Sequence, residues 1–140
     1  MANSQLKKIL AIYPGGFLTG LVLVLFPASG SILMSPTHHG FTSGQFGSIF
    51  TPQIVLAILS SLLAAKLANK IGMKKVMLLG LAALTCSAGL LALSEIFSNN
   101  LQLAYPIVLS ATGLLGLGFG FTLTALNPLA YQLFPGKEAS

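Results

Sequence analysis

An all-α membrane protein of four transmembrane helices is the fold class this sequence predicts, and three observations carry it. Apolar residues make up 54% of the 140-residue chain and charged residues 6%, and the mean hydropathy is +0.88. A water-soluble domain carries about a quarter charged residues to hydrate its surface, so the natural solvent of this chain is lipid. Four apolar stretches, at residues 9–34, 45–67, 76–95 and 103–133, are each long enough to cross the hydrocarbon. The third observation is the seven lysines: with four spans, all of them fall on one side.

The first stretch, from Ile9 to Met34, holds no ionisable side chain apart from Tyr13. Lys7-Lys8 before it and Pro27-Ala28-Ser29-Gly30 near its end have the outline of a secretory signal. The apolar run exceeds the ~7–15 residues of a signal core and three more spans follow, so an uncleaved helix is expected. Ser35-Pro36-Thr37-His38-His39-Gly40 reads as the loop to the second stretch, and Asn69 to Lys75 as a short basic loop leading to the third. Glu95 through Gln102, with Asn99-Asn100, separates the third from the fourth. Proline, glycine and asparagine each weaken helices for a different backbone reason. The fourth stretch is overlong, which predicts tilt or an extension beyond the bilayer. Cys86 is the single cysteine; lying in an apolar run, it offers no disulfide or zinc framework and reads as a small packing residue.

Orientation follows from charge. Lys7 and Lys8 precede the first span, Lys66, Lys70, Lys74 and Lys75 flank the second loop, and Lys137 follows the fourth span. The opposite loops hold His38, His39 and Glu95 but no lysine or arginine. The positive-inside rule makes the lysine side, and with it both termini, cytoplasmic, in a plasma or inner membrane. The formal net charge of +5 therefore reports topology. Nucleic acid is not an expected partner, because the basic residues are all lysines and none sits in an aromatic-interleaved patch.

Helices in lipid associate by close backbone approach and polar contacts. The fourth stretch suits this, with Gly113, Gly116, Gly118 and Gly120 read as one smooth face. Small residues four apart recur as Gly16/Gly20, Ala57/Ser61 and Ser60/Ala64. Pro14, Pro27 and Pro128 each remove a backbone hydrogen bond and favour kinks.

From Ala65 to Gly80 the chain reads Ala-Lys-Leu-Ala-Asn-Lys-Ile-Gly-Met-Lys-Lys-Val-Met-Leu-Leu-Gly. This resembles the cytoplasmic signature between the second and third helices of the major facilitator superfamily, Gly-x-Leu-Ala-Asp-Arg-x-Gly-Arg-Arg/Lys. Leu67, Ala68, Gly72 and Lys74 match it, Lys70 replaces an arginine, and Lys75 continues in register. Ala65 stands at the first glycine and Asn69 at the aspartate. In the family that aspartate latches the two halves of the transporter, so the resemblance implies a weaker latch here. The fourth stretch lacks an arginine, which disfavours the proton-antiporting drug exporters. Gly116-x-Gly118-x-Gly120, Asn127-Pro128 and Leu133-Phe134-Pro135-Gly136-Lys137-Glu138 are similar to the fourth helix and following loop of sugar-permease-like members. In those a carboxylate often precedes the Asn-Pro pair, whereas Thr122 to Leu126 holds no acid.

The resemblance implies helices 1–4 of a twelve-helix fold, so that residues 1–140 form a single transmembrane domain, the incomplete N-terminal half of a transporter. It also implies that the first and fourth helices line the central cavity and the second flanks it. On this chain the substrate-path candidates are then Thr19, Gln53, Thr122, Thr124 and Asn127, with Gln53 and Asn127 foremost. An amide inside a membrane seeks a partner or water, and interhelical bonding is the alternative role for each residue.

The expected function is secondary transport of a small solute by alternating access, with this chain as an inactive N-terminal fragment whose remaining helices could be expressed separately. The rival readings are a small four-helix protein acting as an oligomeric transporter, and a non-transporting scaffold. No ionisable group lies well inside a span, so no coupling carboxylate can be assigned. Enzyme chemistry is not expected: no nucleophile–base pair appears, and the Gly116-to-Gly120 run has the wrong spacing for a phosphate loop. No cofactor is implied. His38 and His39 lack a third metal ligand at suitable spacing and read as a solvated loop.

Overall fold

A computed structural model of the chain describes the backbone of residues 2–131 and the side chains of residues 12–131. Its elements are α1 (Ala2–Ala28), α2 (Gly30–Leu33), α3 (Ser43–Ser48), α4 (Phe50–Ile71), α5 (Met73–Ser94), a 3-10 turn (Glu95–Phe97) and α6 (Leu101–Tyr131). No strand occurs among the described residues. Four segments are long and apolar enough to cross a membrane: Ile12–Leu33, Ser43–Ile71, Met73–Phe97 and Leu101–Tyr131. Lys7 and Lys8 lie where only the backbone is described, and Lys137, Glu138 and the stretch from Leu133 to Gly136 lie outside the described residues.

Local chemistry sets the breaks. α1 gives way to α2 just after Pro27, which has no N–H to continue the ladder. Ser29 N–H still donates to Leu25 O at 3.0 Å, so helical bonding continues across the break. The turn at Ser35–Gly40 closes on itself. Gly40, at φ +65, donates to Ser35 O at 2.9 Å, and Phe41 donates to Leu33 O at 2.9 Å. α3 opens with a capping box: Thr42 Oγ1 accepts from Gln45 N–H at 3.2 Å while Gln45 Oε1 accepts from Thr42 N–H at 3.0 Å. It stops at Ile49, three residues before Pro52, whose ring excludes the carbonyl of Ser48.

The basic connection is far tighter than a loop over Asn69–Lys75. Asn69, Lys70 and Ile71 stay in α4 and Met73 already begins α5, leaving Gly72 as the single residue between two helices. Its φ of 88 and ψ of 150 lie in a region only glycine occupies freely. Ala68 O accepts its N–H at 2.9 Å, so the end of α4 is capped as the chain reverses.

α6 is the central helix. It packs against α4 on one side and α5 on the other, while α1 rests on it more lightly. Gly113, Gly116, Gly118 and Gly120 do not form one face. At 100° per residue, Gly118 lies opposite the other three, and the contacts divide accordingly. Gly113 meets Leu56, Gly116 meets the Gln53 carbonyl, and Gly120 meets Ser60 and the Ala57 carbonyl, all on α4. Gly118 instead faces Leu84 and Gly80 of α5, and Gly80 in turn faces Thr122. Serines line both seams: Ser87 Oγ donates to Ala111 O at 2.7 Å, and Ser60 Oγ shares its hydrogen between Ala57 O of its own helix at 3.1 Å and Gly116 O at 3.3 Å. Such bonds stand out in lipid, where no water competes for them.

α1 uses its own glycines unevenly. Gly15 lies against Met77 of α5 and Gly16 against Leu126 of α6, whereas nothing stands near Gly20. The opposite surfaces are apolar and exposed, as at Phe17 and Val24 on α1 and Ile58 and Leu62 on α4. These are lipid-facing positions, and Cys86 is exposed among them rather than packed between helices.

Candidate functional site

At the lysine end, the motif residues surround the Gly72 reversal. Ala68 is buried at 7% exposure in a cluster with Ala64, Val76, Met77, Ala125 and Leu129, and Leu67 packs on its edge. Ala65, Asn69, Lys70, Lys74 and Lys75 are exposed, as is Gly72. The half of the motif that packs is therefore apolar, and the half that carries charge or an amide is presented outward. Among the described residues no ion pair involves Lys66, Lys70, Lys74 or Lys75.

The five substrate-path candidates do not converge on one pocket. Thr19 is buried and donates to Gly15 O of its own helix at 2.7 Å. Gln53 is half-buried in the α4–α6 seam, and its Oε1 is buried with no hydrogen-bond partner. Thr122 is fully buried in the α5–α6 seam beneath Gly80, and its Oγ1 also lacks a partner.

Thr124 and Asn127 differ. They continue the stripe of Gly113, Gly116 and Gly120 at spacings of four and three, yet Thr124 is half-buried and Asn127 exposed. The sealed seam opens at this point. Pro128, inside α6, has no N–H to offer the carbonyl of Thr124. A hydroxyl, an amide and a released carbonyl thus coincide on one part of the central helix.

At the opposite end, where the sequence predicts a solvated loop, the structure assembles a cluster. His39 is 5% exposed. Glu95, at the end of α5, takes one histidine on each carboxylate oxygen: His38 Nδ1 lies 2.7 Å from Oε1 and His39 Nδ1 3.6 Å from Oε2. His39 Nε2 lies 3.0 Å from Ser94 Oγ. Aromatic edges extend the cluster, with His39 against Phe41 and Phe41 against Tyr105 at centroid distances of 5.4 and 5.6 Å. Tyr105 then bonds to Ser48 at 2.8 Å. A cavity of about 230 Å³ lies beside it, lined by Leu25, Ile32, Leu91 and Ala92 and bounded by His39 and Glu95. No group of three metal-ligating side chains suited to an ion occurs among the described residues. The contact joins residues 57 apart in sequence, and no local pattern announces it.

Four spans with a one-residue basic reversal between the second and third narrow the possibilities, and comparison with known families decides among them. The family model described as Major Facilitator Superfamily matches residues 4–140. The chain belongs to the major facilitator superfamily. It is therefore an integral membrane protein of a transporter family, and its four spans correspond to the opening helices of the major facilitator fold. No curated protein and no solved structure matches the chain at a significant level. Within the major facilitator frame, α6 is the fourth of these opening helices.

Proposed function

We propose that the chain works as the opening helices of an alternating-access transporter for a small solute, with the stretch Thr124–Pro128 of α6 on the solute path. The observation that carries this reading is that the small-residue stripe of α6 facing α4 gives way to Thr124 and Asn127 beside the carbonyl that Pro128 cannot engage. Along Gly113, Gly116 and Gly120 this face is closed by α4, whereas Thr124 is half-buried and Asn127 exposed beside that carbonyl. A polar group facing acyl chains is costly, so an uncovered amide there fits a wetted surface. Gln53, with its unpartnered Oε1, is a second polar group available to such a path. Thr19 and Thr122, one satisfied within its own helix and one enclosed between helices, fit packing roles better.

A major-facilitator cycle rocks two helical bundles about a midplane site. In this reading the four helices supply one part of one bundle, and the transport-competent protein includes further helices. The lysine end is cytoplasmic by the positive-inside rule.

Single cysteines placed in a Cys86→Ser background test the path. Asn127→Cys and Thr124→Cys are expected to react with a water-soluble thiol reagent in membranes, while Ile58→Cys, on the exposed apolar face, stays unreactive. An inert Asn127→Cys would remove α6 from the path. The 140-residue chain alone, reconstituted in liposomes, is expected to show no solute flux; measurable flux would favour an oligomeric transporter complete in itself.

A further inference from the structure

The cluster at the end opposite the lysines carries an inference independent of transport. Ser94 Oγ donates its one hydrogen to Leu91 O at 2.7 Å. Toward His39 it can then only accept, so the hydrogen of the 3.0 Å contact belongs to His39 Nε2. A neutral imidazole carries one N–H, and Nε2 holds it. Nδ1 is consequently a bare lone pair. It is buried, has no hydrogen-bond partner, and points at a carboxylate oxygen 3.6 Å away.

The bare Nδ1 faces a lone pair of the half-exposed Glu95 carboxylate, and an orphaned buried acceptor is itself costly. One added proton removes both defects. It binds Nδ1 from the medium, the ring becomes an imidazolium with both nitrogens donating, and Glu95 remains a carboxylate with a cation opposite. We propose that His39 Nδ1 is a proton-binding site of this protein and that its occupation clamps the turn at Ser35–Gly40 onto the end of α5.

The clamp is built between separate elements. His39 belongs to the turn after α2, and Ser94 and Glu95 end α5. Glu95 is the charged group facing His39; His38 sits on the other carboxylate oxygen and is half-exposed. From α6, Tyr105 meets Phe41 and Ser48 rather than the histidine. The cavity-lining residues of α1, α2 and α5 nearby, Leu25, Ile32, Leu91 and Ala92 among them, are uncharged. The described lysines all lie at the other end of the bundle, so among the described residues His38 is the other side chain that can set a positive charge on Glu95.

The chain holds two histidines, which makes the test direct. 15N-histidine labelling of the His38→Gln chain in lipid nanodiscs leaves one ring to observe. At alkaline pH its Nε2 is expected to resonate as N–H and its Nδ1 as a bare nitrogen, and acidification should convert Nδ1 to N–H. Glu95→Gln, added to this chain, should lower the ratio of protonated to neutral ring at fixed pH roughly fivefold, the factor a unit charge at about 4 Å exerts across water. Amide exchange of residues 35–41 in the otherwise unaltered chain, corrected for intrinsic rates, should slow on acidification, and His39→Gln should abolish the slowing. A neutral ring protonated on Nδ1, a ratio indifferent to Glu95→Gln, or slowing that persists in His39→Gln would each overturn the proposal. None of these readouts depends on transport.

Discussion

At Gly116 the absence of a side chain lets α4 and α6 touch backbone to backbone, because any Cβ there would enter the Gln53 carbonyl. Gly120 stands in the same relation to Ser60 and the Ala57 carbonyl. Gly20 and Gly89 have nothing within 4 Å of the corresponding position. The same substitution should therefore have opposite signs at the two kinds of site. Gly116→Ala is expected to destabilise by about 1–3 kcal/mol through overpacking against rigid backbone. Gly20→Ala and Gly89→Ala should be neutral or stabilising by up to about 1 kcal/mol, the helix-propensity difference. Unfolding in mixed micelles followed by circular dichroism measures all three, and a Gly116→Ala as benign as Gly89→Ala would sink the seam as described. His39 shows the same dependence on surroundings. Its burial is decided by Ser94 and Glu95, neither of which is near it in the chain.

At the scale of elements, hydropathy is a local property, and the four spans were legible because each is continuous in sequence. Their ends were less so. Propensity placed a seven-residue loop at Asn69–Lys75, but Asn69 and Lys70 extend α4, since in a helical hairpin Gly72 can make the whole reversal. The glycines of α6 were legible as a packing device, yet reading them as one face ignored the 100° step that sends Gly118 to α5. The site was the least legible part. Thr19 and Thr122 look alike in sequence, and only packing shows one bonded within its helix and the other enclosed beneath Gly80. Gly72 itself yields a sharp expectation. Nothing crowds it, so the cost of Gly72→Ala is purely conformational, about 1–3 kcal/mol. Gly72→Asn should bring no relief, because ψ 150 lies outside the left-handed helical basin that asparagine tolerates. Equal stabilities for Gly72→Ala and the parent in the same micelle assay would contradict this account of the reversal.

For the whole molecule, charge and packing divide the work between the two ends. Each end has a buried apolar cluster; exposed cations overlie the one at the lysine end, and polar and aromatic contacts join the one at the histidine end. The proposed orientation predicts that, in intact cells carrying Cys86→Ser, Thr37→Cys is labelled by a membrane-impermeant thiol reagent and Lys74→Cys only after permeabilisation; the reverse pattern would invert the topology. The central place of α6 also bears on biosynthesis. α4 and α5 are made first and touch each other far less than each touches α6, so the nascent hairpin enters the bilayer with a slot between its arms. Until α6 arrives, the hydroxyls of Ser60 and Ser87 lack the interhelical acceptors they hold in the finished bundle. The order of synthesis thus runs against the order of packing: the helix that most of the α4 and α5 contacts await is made last of the three.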